Sequence, residues 1–198
     1  MDITIYYTMW DGKNGSHKLL TTAAGQWLSS CGRSVPEEFQ IIAKGPYVKP
    51  YIGNIRELEF SISHSGTLWM CAFAQKAVGL DVQKTQNCRK DRVSGRFFHP
   101  KEDAWLAAKD YEPFFQVWAA KESYLKYTGA GLTQGMDSFS VISEEGLSES
   151  TKEVQQRHFL LDGETLLSGQ KLLCGPLAVC ITAEEIGEVN WVLLTETE

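Results

Sequence analysis

The chain has 198 residues, 43% hydrophobic and 22% charged, with a formal net charge of −6. This composition is ordinary for a soluble globular protein, and the length allows one domain or two small ones around a real core. The acidic balance argues against a general nucleic-acid binder, and no run approaches the roughly 20 apolar residues of a membrane helix. The opening "MDITIYYTMWDG" has no basic leader and is interrupted by Asp2 and Asp11, so a cytoplasmic protein without membrane contact is expected.

"DITIYYTMW" alternates as a first strand. "SHKLLTTAAGQWLSSCG" places Leu19, Leu20, Ala23, Trp27 and Leu28 at helical spacing and stops at Gly32. "EEFQIIAKGPYVKPYIG" predicts a short strand and a loop rich in Pro and Gly. "LEFSIS", "LWMCAFA" and "AVGLDVQ" then have strand composition with short breaks between them, which predicts an antiparallel meander. From about Thr85 the pattern is helical. "CRKDRVSGRFF" and "KEDAWLAAKD" form two short helices around His99-Pro100, with Pro100 near a helix start. "FFQVWAAKESYLKYTG" is the strongest helix and ends at Gly129. "FSVIS", "HFLLD", "TLLSGQKLLC", "LAVCITA" and "NWVLLT" return to strand character. The order predicts two α+β halves, residues 1–84 and 85–198, packed without a linker. A loose likeness between "SISHSGTLWMCAFA" and "KLLCGPLAVCITA" hints at internal duplication.

Five cysteines (Cys31, Cys71, Cys88, Cys174, Cys180) form no CxxC pair, which argues for reduced thiols over a zinc site or disulfides. Charge is uneven: residues 84–109 hold seven Lys/Arg against three Asp/Glu, and residues 143–198 hold three against eleven. A basic segment on an acidic chain suits either a solvated helix face or an anionic partner.

In "AVGLDVQK", Asp81 and Gln83 share one face of a strand, opposite Val78, Leu80 and Val82. Glu122 shares a helix stripe with Phe115, Trp118 and Leu125. It is either a rim acid paired with Lys126 one turn on, or a functional carboxylate. Ser63 and His64, with Ser65, read as a turn between strands in "FSISHSG"; turn chemistry accounts for such a motif, and so does phosphate binding. Lys18 and Lys49 are two further cations able to meet phosphate. A magnesium ion typically takes only one or two carboxylates, with substrate phosphates and water completing its shell.

Together, "FSISHSG", "VGLDVQK", "FFHPKE" and "WAAKESYLKYTGAGL" resemble the 4′-phosphopantetheinyl transferases of the two-halved, surfactin-synthetase-activating type. The resemblance implies a single-chain pseudo-dimer of two similar α+β halves, with coenzyme A and Mg²⁺ (or Mn²⁺) in the cleft between them. It implies a monomer that moves the phosphopantetheine arm of coenzyme A to a serine of an apo acyl or peptidyl carrier protein, releasing adenosine 3′,5′-bisphosphate. Carriers of non-ribosomal peptide, polyketide and fatty-acid synthesis all fit. By the family pattern Asp81 and Glu122 match metal-binding acids, and Gln83 stands where many members carry a third acid. Lys126 matches a lysine on the pyrophosphate. Lys49, Ser63 and His64 match residues around the adenosine 3′-phosphate, with Lys18 a further basic residue there. Glu102 matches an acid near the cleft and is a further candidate metal ligand.

Within that reading Asp81, Glu122 and Lys126 carry the chemistry, with Glu122 as the base. Arg89, Lys90, Arg92 and Arg96 would steer an acidic carrier, and Phe97, Phe98 and Met136 would supply apolar contact. Two rival readings remain at this level: a coenzyme A- or carrier-binding protein of the same fold with weak or no catalysis, and a different metal-dependent phosphotransferase or hydrolase.

Overall fold

The computed structural model describes residues 1–13, 15–43, 49–131, 134–149, 153–161, 166–167, 170–171 and 176–195. The strands are β1 (Ile3–Met9), β2 (Ile41–Ile42), β3 (Tyr51–Ile52), β4 (Glu59–Ser65), β5 (Leu68–Ala74), β6 (Val78–Lys84), β7 (Ile142–Ser143), β8 (Gly146–Leu147), β9 (Gln155–Leu161), β10 (Leu166–Leu167), β11 (Gln170–Lys171), β12 (Leu177–Ala183) and β13 (Val189–Leu193). The helices are α1 (Ser16–Ser30), α2 (Lys90–Phe97), α3 (Pro100–Ala107) and α4 (Phe114–Thr128).

Two sheets carry this mixed α/β fold. The first has the order β13-β1-β5-β4 and the second the order β6-β12-β9. Strand alternation then builds three cores. Leu68, Met70, Ala72 and Ala74 of β5 meet Val78, Leu80 and Val82 of β6 and Leu177, Val179 and Ile181 of β12 in one cluster between the sheets. The opposite face of β5, with Trp69, Cys71 and Phe73, packs under Leu20, Ala24, Trp27 and Leu28 of α1. The opposite face of β12, with Ala178 and Cys180, joins Phe114, Val117 and Ala120 of α4. Helix, sheet, sheet and helix therefore stack in that order.

β5 and β12 are the centres of their sheets, and every residue of both is buried. Cys71 and Cys180 lie in these strands as small apolar groups. Burial pushes the Cys71 thiol well up and the Cys180 thiol up to about 12.

Three expectations change. The meander stops after two strands: β5 pairs with β4 and β1, whereas β6 pairs with β12. The reason is that β1 takes the second edge of β5, and β6 buries its apolar face across the interior instead of beside β5. The stretch "KPYIG" contributes β3, which pairs with β2 as a short hairpin, where a loop is expected. "FSVIS" yields only the two-residue β7, paired with β8. Parts of "TLLSGQKLLC" and of "KLLCGP", including Cys174, lie outside the described residues, as does 44–48 of the Pro/Gly loop.

Pairing also crosses residue 84 in both directions. β6, from the first expected half, builds the second sheet, and β13 returns to pair in parallel with β1.

Candidate active site

The site gathers where the β4 edge of the first sheet passes the free β6 edge of the second. Alternate N–H groups of a strand point to the same side, so those of Leu80, Val82 and Lys84 face away from β12 and need acceptors. Serine hydroxyls supply them: Ser61 Oγ accepts from Leu80 N at 2.9 Å, Ser63 Oγ from Val82 N at 3.1 Å, and Ser65 Oγ from Lys84 N at 2.9 Å. The alternating serines of "FSISHSG" are thus a side-chain ladder joining two sheets that share no backbone pairing here.

Helix α4 closes the site from the other side, and Gly79 makes its approach possible. A Cβ at Gly79 would stand 1.9 Å from Ser123 O and 2.6 Å from Tyr127 N, so only glycine lets the helix lie this low on β6. Ser123 and Thr182 hydroxyls then hydrogen-bond at 2.8 Å and fix α4 against β12.

Asp81 is the centre. It is 2% exposed, and three donors reach its carboxylate. Ser63 Oγ donates to Oδ1 at 2.7 Å, Lys126 Nζ to Oδ1 at 2.6 Å, and Gln83 Nε2 to Oδ2 at 2.7 Å. Glu122 lies near enough to feel the charge of Asp81. Burial first, and then that repulsion, push its carboxyl above the usual range, while Lys126 partly offsets them. The Lys126 ammonium, set beside Glu122 in the rim-pair reading, goes to Asp81 across the strand–helix contact.

The remaining candidates scatter. Lys49 Nζ donates to Val78 O at 2.8 Å at the start of β6 and stands 3.6 Å from Glu59. Burial pulls its pKa below the usual lysine value, and Glu59 counters part of that fall. His64 is exposed and packs edge-on against Trp10 with centroids 5.1 Å apart. It occupies the β4 face opposite Ser63, so the two adjacent side chains point apart. Lys18 is exposed in the first turn of α1.

Glu102, expected as an acid near the cleft and a further metal ligand, forms a buried ion pair with Lys121. It is 0% exposed, and its carboxylate is fully engaged elsewhere. Lys121 Nζ lies 2.6 Å from Oε2, His99 N donates to Oε2 at 3.1 Å, and Val141 N donates to Oε1 at 2.7 Å. His99 caps α3 through Lys101 N in return, with Pro100 in its first turn. Lys121 also donates to Phe139 O at 2.7 Å and lies 4.2 Å from the Phe139 ring centre. This buried ion pair braces α3, α4 and the segment before β7. Phe98 is likewise buried, 3% exposed, against Phe114 and Trp118, and so leaves the expected apolar contact surface. Phe97 stays 46% exposed. Lys90 leaves the basic patch in part, donating to Tyr111 O at 3.3 Å, whereas Arg89, Arg92 and Arg96 are exposed.

Sequence reasoning missed the serine ladder, Gly79 and Lys121. Period-two serines before a turn and a glycine two residues ahead of Asp81 were the available signals for the first two. Lys121 on the buried stripe of α4 carried none, because its partner comes from another helix.

Among the described residues no group of three or more His, Cys, Asp and Glu side chains forms a metal cluster. Asp81 and Glu122 nevertheless fit a divalent cation of the magnesium type. Two oxygen-donor carboxylates share one partly enclosed place, and their mutual repulsion, visible at Glu122, is what a cation relieves.

Residues 77–174 match the 4′-phosphopantetheinyl transferase superfamily. That stretch is about half of the chain. The match includes Asp81, Gln83, Glu102, Glu122 and Lys126, whereas Lys18, Lys49, Ser63 and His64 lie upstream of it. Among relatives, the chain is 42% identical over 101 residues to a 4′-phosphopantetheinyl transferase of Bacillus subtilis, covering 48% of this chain and 44% of that protein. It is 39% identical over 99 residues to the 4′-phosphopantetheinyl transferase Sfp of Bacillus subtilis strain 168, with the same coverage. It is 28% identical over 153 residues to the 4′-phosphopantetheinyl transferase gsp of Aneurinibacillus migulanus, covering 75% of this chain and 63% of that one. The chain thus spans less than half the length of these two Bacillus subtilis transferases.

Proposed function

We propose that the protein transfers the 4′-phosphopantetheine arm of coenzyme A to a serine of an apo acyl or peptidyl carrier protein. The observation that carries this reading is the convergence of Asp81, Glu122 and Lys126 where α4 crosses β6, inside the stretch that matches the transferase superfamily. The non-catalytic alternative is not favoured, because the matched superfamily and relatives are transferases by name.

In the reaction, the carrier serine Oγ forms a bond to the phosphorus that bears pantetheine. The bridging P–O bond breaks, its electron pair leaves with adenosine 3′,5′-bisphosphate, and the serine proton passes to a base. Such phosphoryl transfer depends on positioning and charge neutralisation more than on covalent chemistry by the protein. Glu122 is the proposed base, as the carboxylate that α4 brings beside Asp81 and Lys126. Lys126 would turn from Asp81 to the pyrophosphate and neutralise charge growing on the leaving oxygen. Asp81 and Glu122 would hold Mg²⁺ or Mn²⁺, and a bound divalent cation supplies Lewis-acid neutralisation of the pyrophosphate. Gln83, a donor to Asp81 in this structure, would be a neutral neighbour of that cation.

Lys18, Lys49 and His64 are proposed for the adenosine 3′-phosphate, and Arg89, Arg92 and Arg96 for an acidic carrier surface. We further propose that the chain acts as a cytoplasmic monomer and as a pseudo-dimer of two α+β halves, 1–84 and 85–198, with the site in their cleft. Each sheet centred on a buried Cys-bearing strand supports the pseudo-dimer, with β6 and β13 exchanged between units. No helix among the described residues is long and apolar enough to cross a membrane.

The test is incubation with coenzyme A, Mg²⁺ and a panel of apo carrier domains, read by intact mass. A phosphopantetheine increment on the carrier is expected. Its absence across non-ribosomal peptide, polyketide and fatty-acid carriers would sink the reading in favour of a binding protein.

A further inference from the structure

We infer that Ser63 is a positioning residue for the Asp81 carboxylate, acting through that carboxylate on divalent-cation binding; this rests on the proposed cation site at Asp81 and Glu122. The serine ladder is the argument. Ser61, Ser63 and Ser65 each accept one hydrogen bond from a β6 backbone N–H, at 2.9, 3.1 and 2.9 Å. With a lone pair so occupied, each hydroxyl still has one proton to give. Ser61 directs its proton toward Leu80 O, at a long 3.5 Å. Ser63 alone among the three directs it to Asp81, at 2.7 Å from Oδ1.

Ser63 is 4% exposed and Asp81 2% exposed, so water has little access to compete for this bond. The hydroxyl is held at both ends: Val82 N–H fixes where Oγ sits, and Asp81 fixes where its proton points. Because Val82 directly follows Asp81, the serine ties the carboxylate to its own backbone segment. Gln83 steadies Oδ2 from the other side at 2.7 Å. A carboxylate fixed in this way presents its remaining lone pairs to a cation without reorganising.

A serine hydroxyl has one proton, and at Ser63 it is committed to Asp81. The side chain therefore has none left for the adenosine 3′-phosphate, the role that resemblance assigns it. Loss of the hydroxyl should be felt at the cation and not at that phosphate.

The experiment compares wild type, Ser63→Ala and Ser65→Ala. Mn²⁺ affinity is measured by electron paramagnetic resonance of free Mn²⁺ in the presence of coenzyme A. In parallel, KM is measured for coenzyme A and for 3′-dephospho-coenzyme A. Ser63→Ala should weaken Mn²⁺ binding by about 10- to 100-fold, as loss of a ligand-orienting hydrogen bond does, with the preference for coenzyme A over the dephospho form kept. Ser65→Ala orphans the same kind of β6 N–H without touching Asp81, and should leave Mn²⁺ affinity within about 2-fold. Wild-type Mn²⁺ affinity in Ser63→Ala, or loss of its discrimination against 3′-dephospho-coenzyme A, overturns the inference. Equal weakening in Ser65→Ala overturns it too, by making the effect one of strand integrity. Should Ser63→Ala not fold, Ser63→Cys, of similar shape but a poor donor, is read by the same criteria. If wild type itself binds no Mn²⁺ with coenzyme A present, it is the proposed cation site that fails.

Discussion

Replacing Lys121 by Met tests whether the Glu102–Lys121 pair is structural. Both side chains are 0% exposed, and the ammonium lies 2.6 Å from Glu102 Oε2 and 2.7 Å from Phe139 O. Met fills much of the lysine stem's volume, so the loss is mainly electrostatic. It leaves a buried carboxylate with only the His99 and Val141 N–H groups as partners, and a Phe139 carbonyl without its ammonium donor. Removing one member of a buried ion pair costs about 3–5 kcal/mol. For a chain of this size each kcal/mol moves Tm by about 2–4 °C, so the fall should be about 6–20 °C. Circular dichroism melting of wild type, Lys121→Met and Lys121→Met/Glu102→Gln measures it. The double variant removes the stranded charge while the amide oxygen that replaces the carboxylate still accepts from Val141 N, and it should regain a clear part of the loss. A single-variant fall under about 2 °C would refute the argument. So would a double variant no more stable than the single one.

Gly79→Ala forces a Cβ to within 1.9 Å of Ser123 O, so α4 must lift from β6; a cost of about 3 kcal/mol is expected in urea unfolding. Activity at a temperature where the variant is folded should fall further than stability does, because Glu122 and Lys126 ride on that helix. Glu122→Gln should abolish transfer yet stabilise the ligand-free chain at neutral pH. The folded state holds the Glu122 proton more tightly than the unfolded state, so that contribution is full below the ordinary value of 4.5 and is lost as pH rises through the raised one. Melting curves against pH should therefore slope downward in wild type across that window and flatten in the variant. Reversing charge at Arg89 and Arg92, both exposed, should lower kcat/KM for an acidic carrier at low salt and leave KM for coenzyme A unchanged; an unchanged carrier kcat/KM would remove this face from docking.

What the sequence made legible was mostly local. The period-two pattern of "AVGLDVQK" predicts that Asp81 and Gln83 share a face, and they do, 2.7 Å apart. Helical spacing places α1 and α4 within a residue or two of their observed ends, and Pro100 marks the start of α3. Pairings between distant segments were not legible. Nothing in "LWMCAFA" or "AVGLDVQK" says that the first stays with β1 while the second crosses to β12, since both read as apolar strands. Glu102 shows the same limit at a single residue. Its position in "FFHPKE" fits an acid near a cleft, but the lysine that claims it lies on another helix. Lys126 could be placed one turn from Glu122, but its choice of Asp81 depends on how low α4 lies on β6, and Gly79 sets that height.

The return of β13 to the first sheet has a consequence for how the protein is made. On a ribosome β1 emerges well before its neighbour, with Ile3, Ile5 and Tyr7 destined for the interior, and the strand that covers its outer edge spans Val189–Leu193. The first sheet therefore waits with an open, apolar edge while the second is synthesised, and an edge of that kind recruits foreign strands. Residues 1–84 expressed alone would keep that edge and also expose β6 without β12. The strand order of the first sheet cannot be completed until β13 has been made, after every strand of the second sheet.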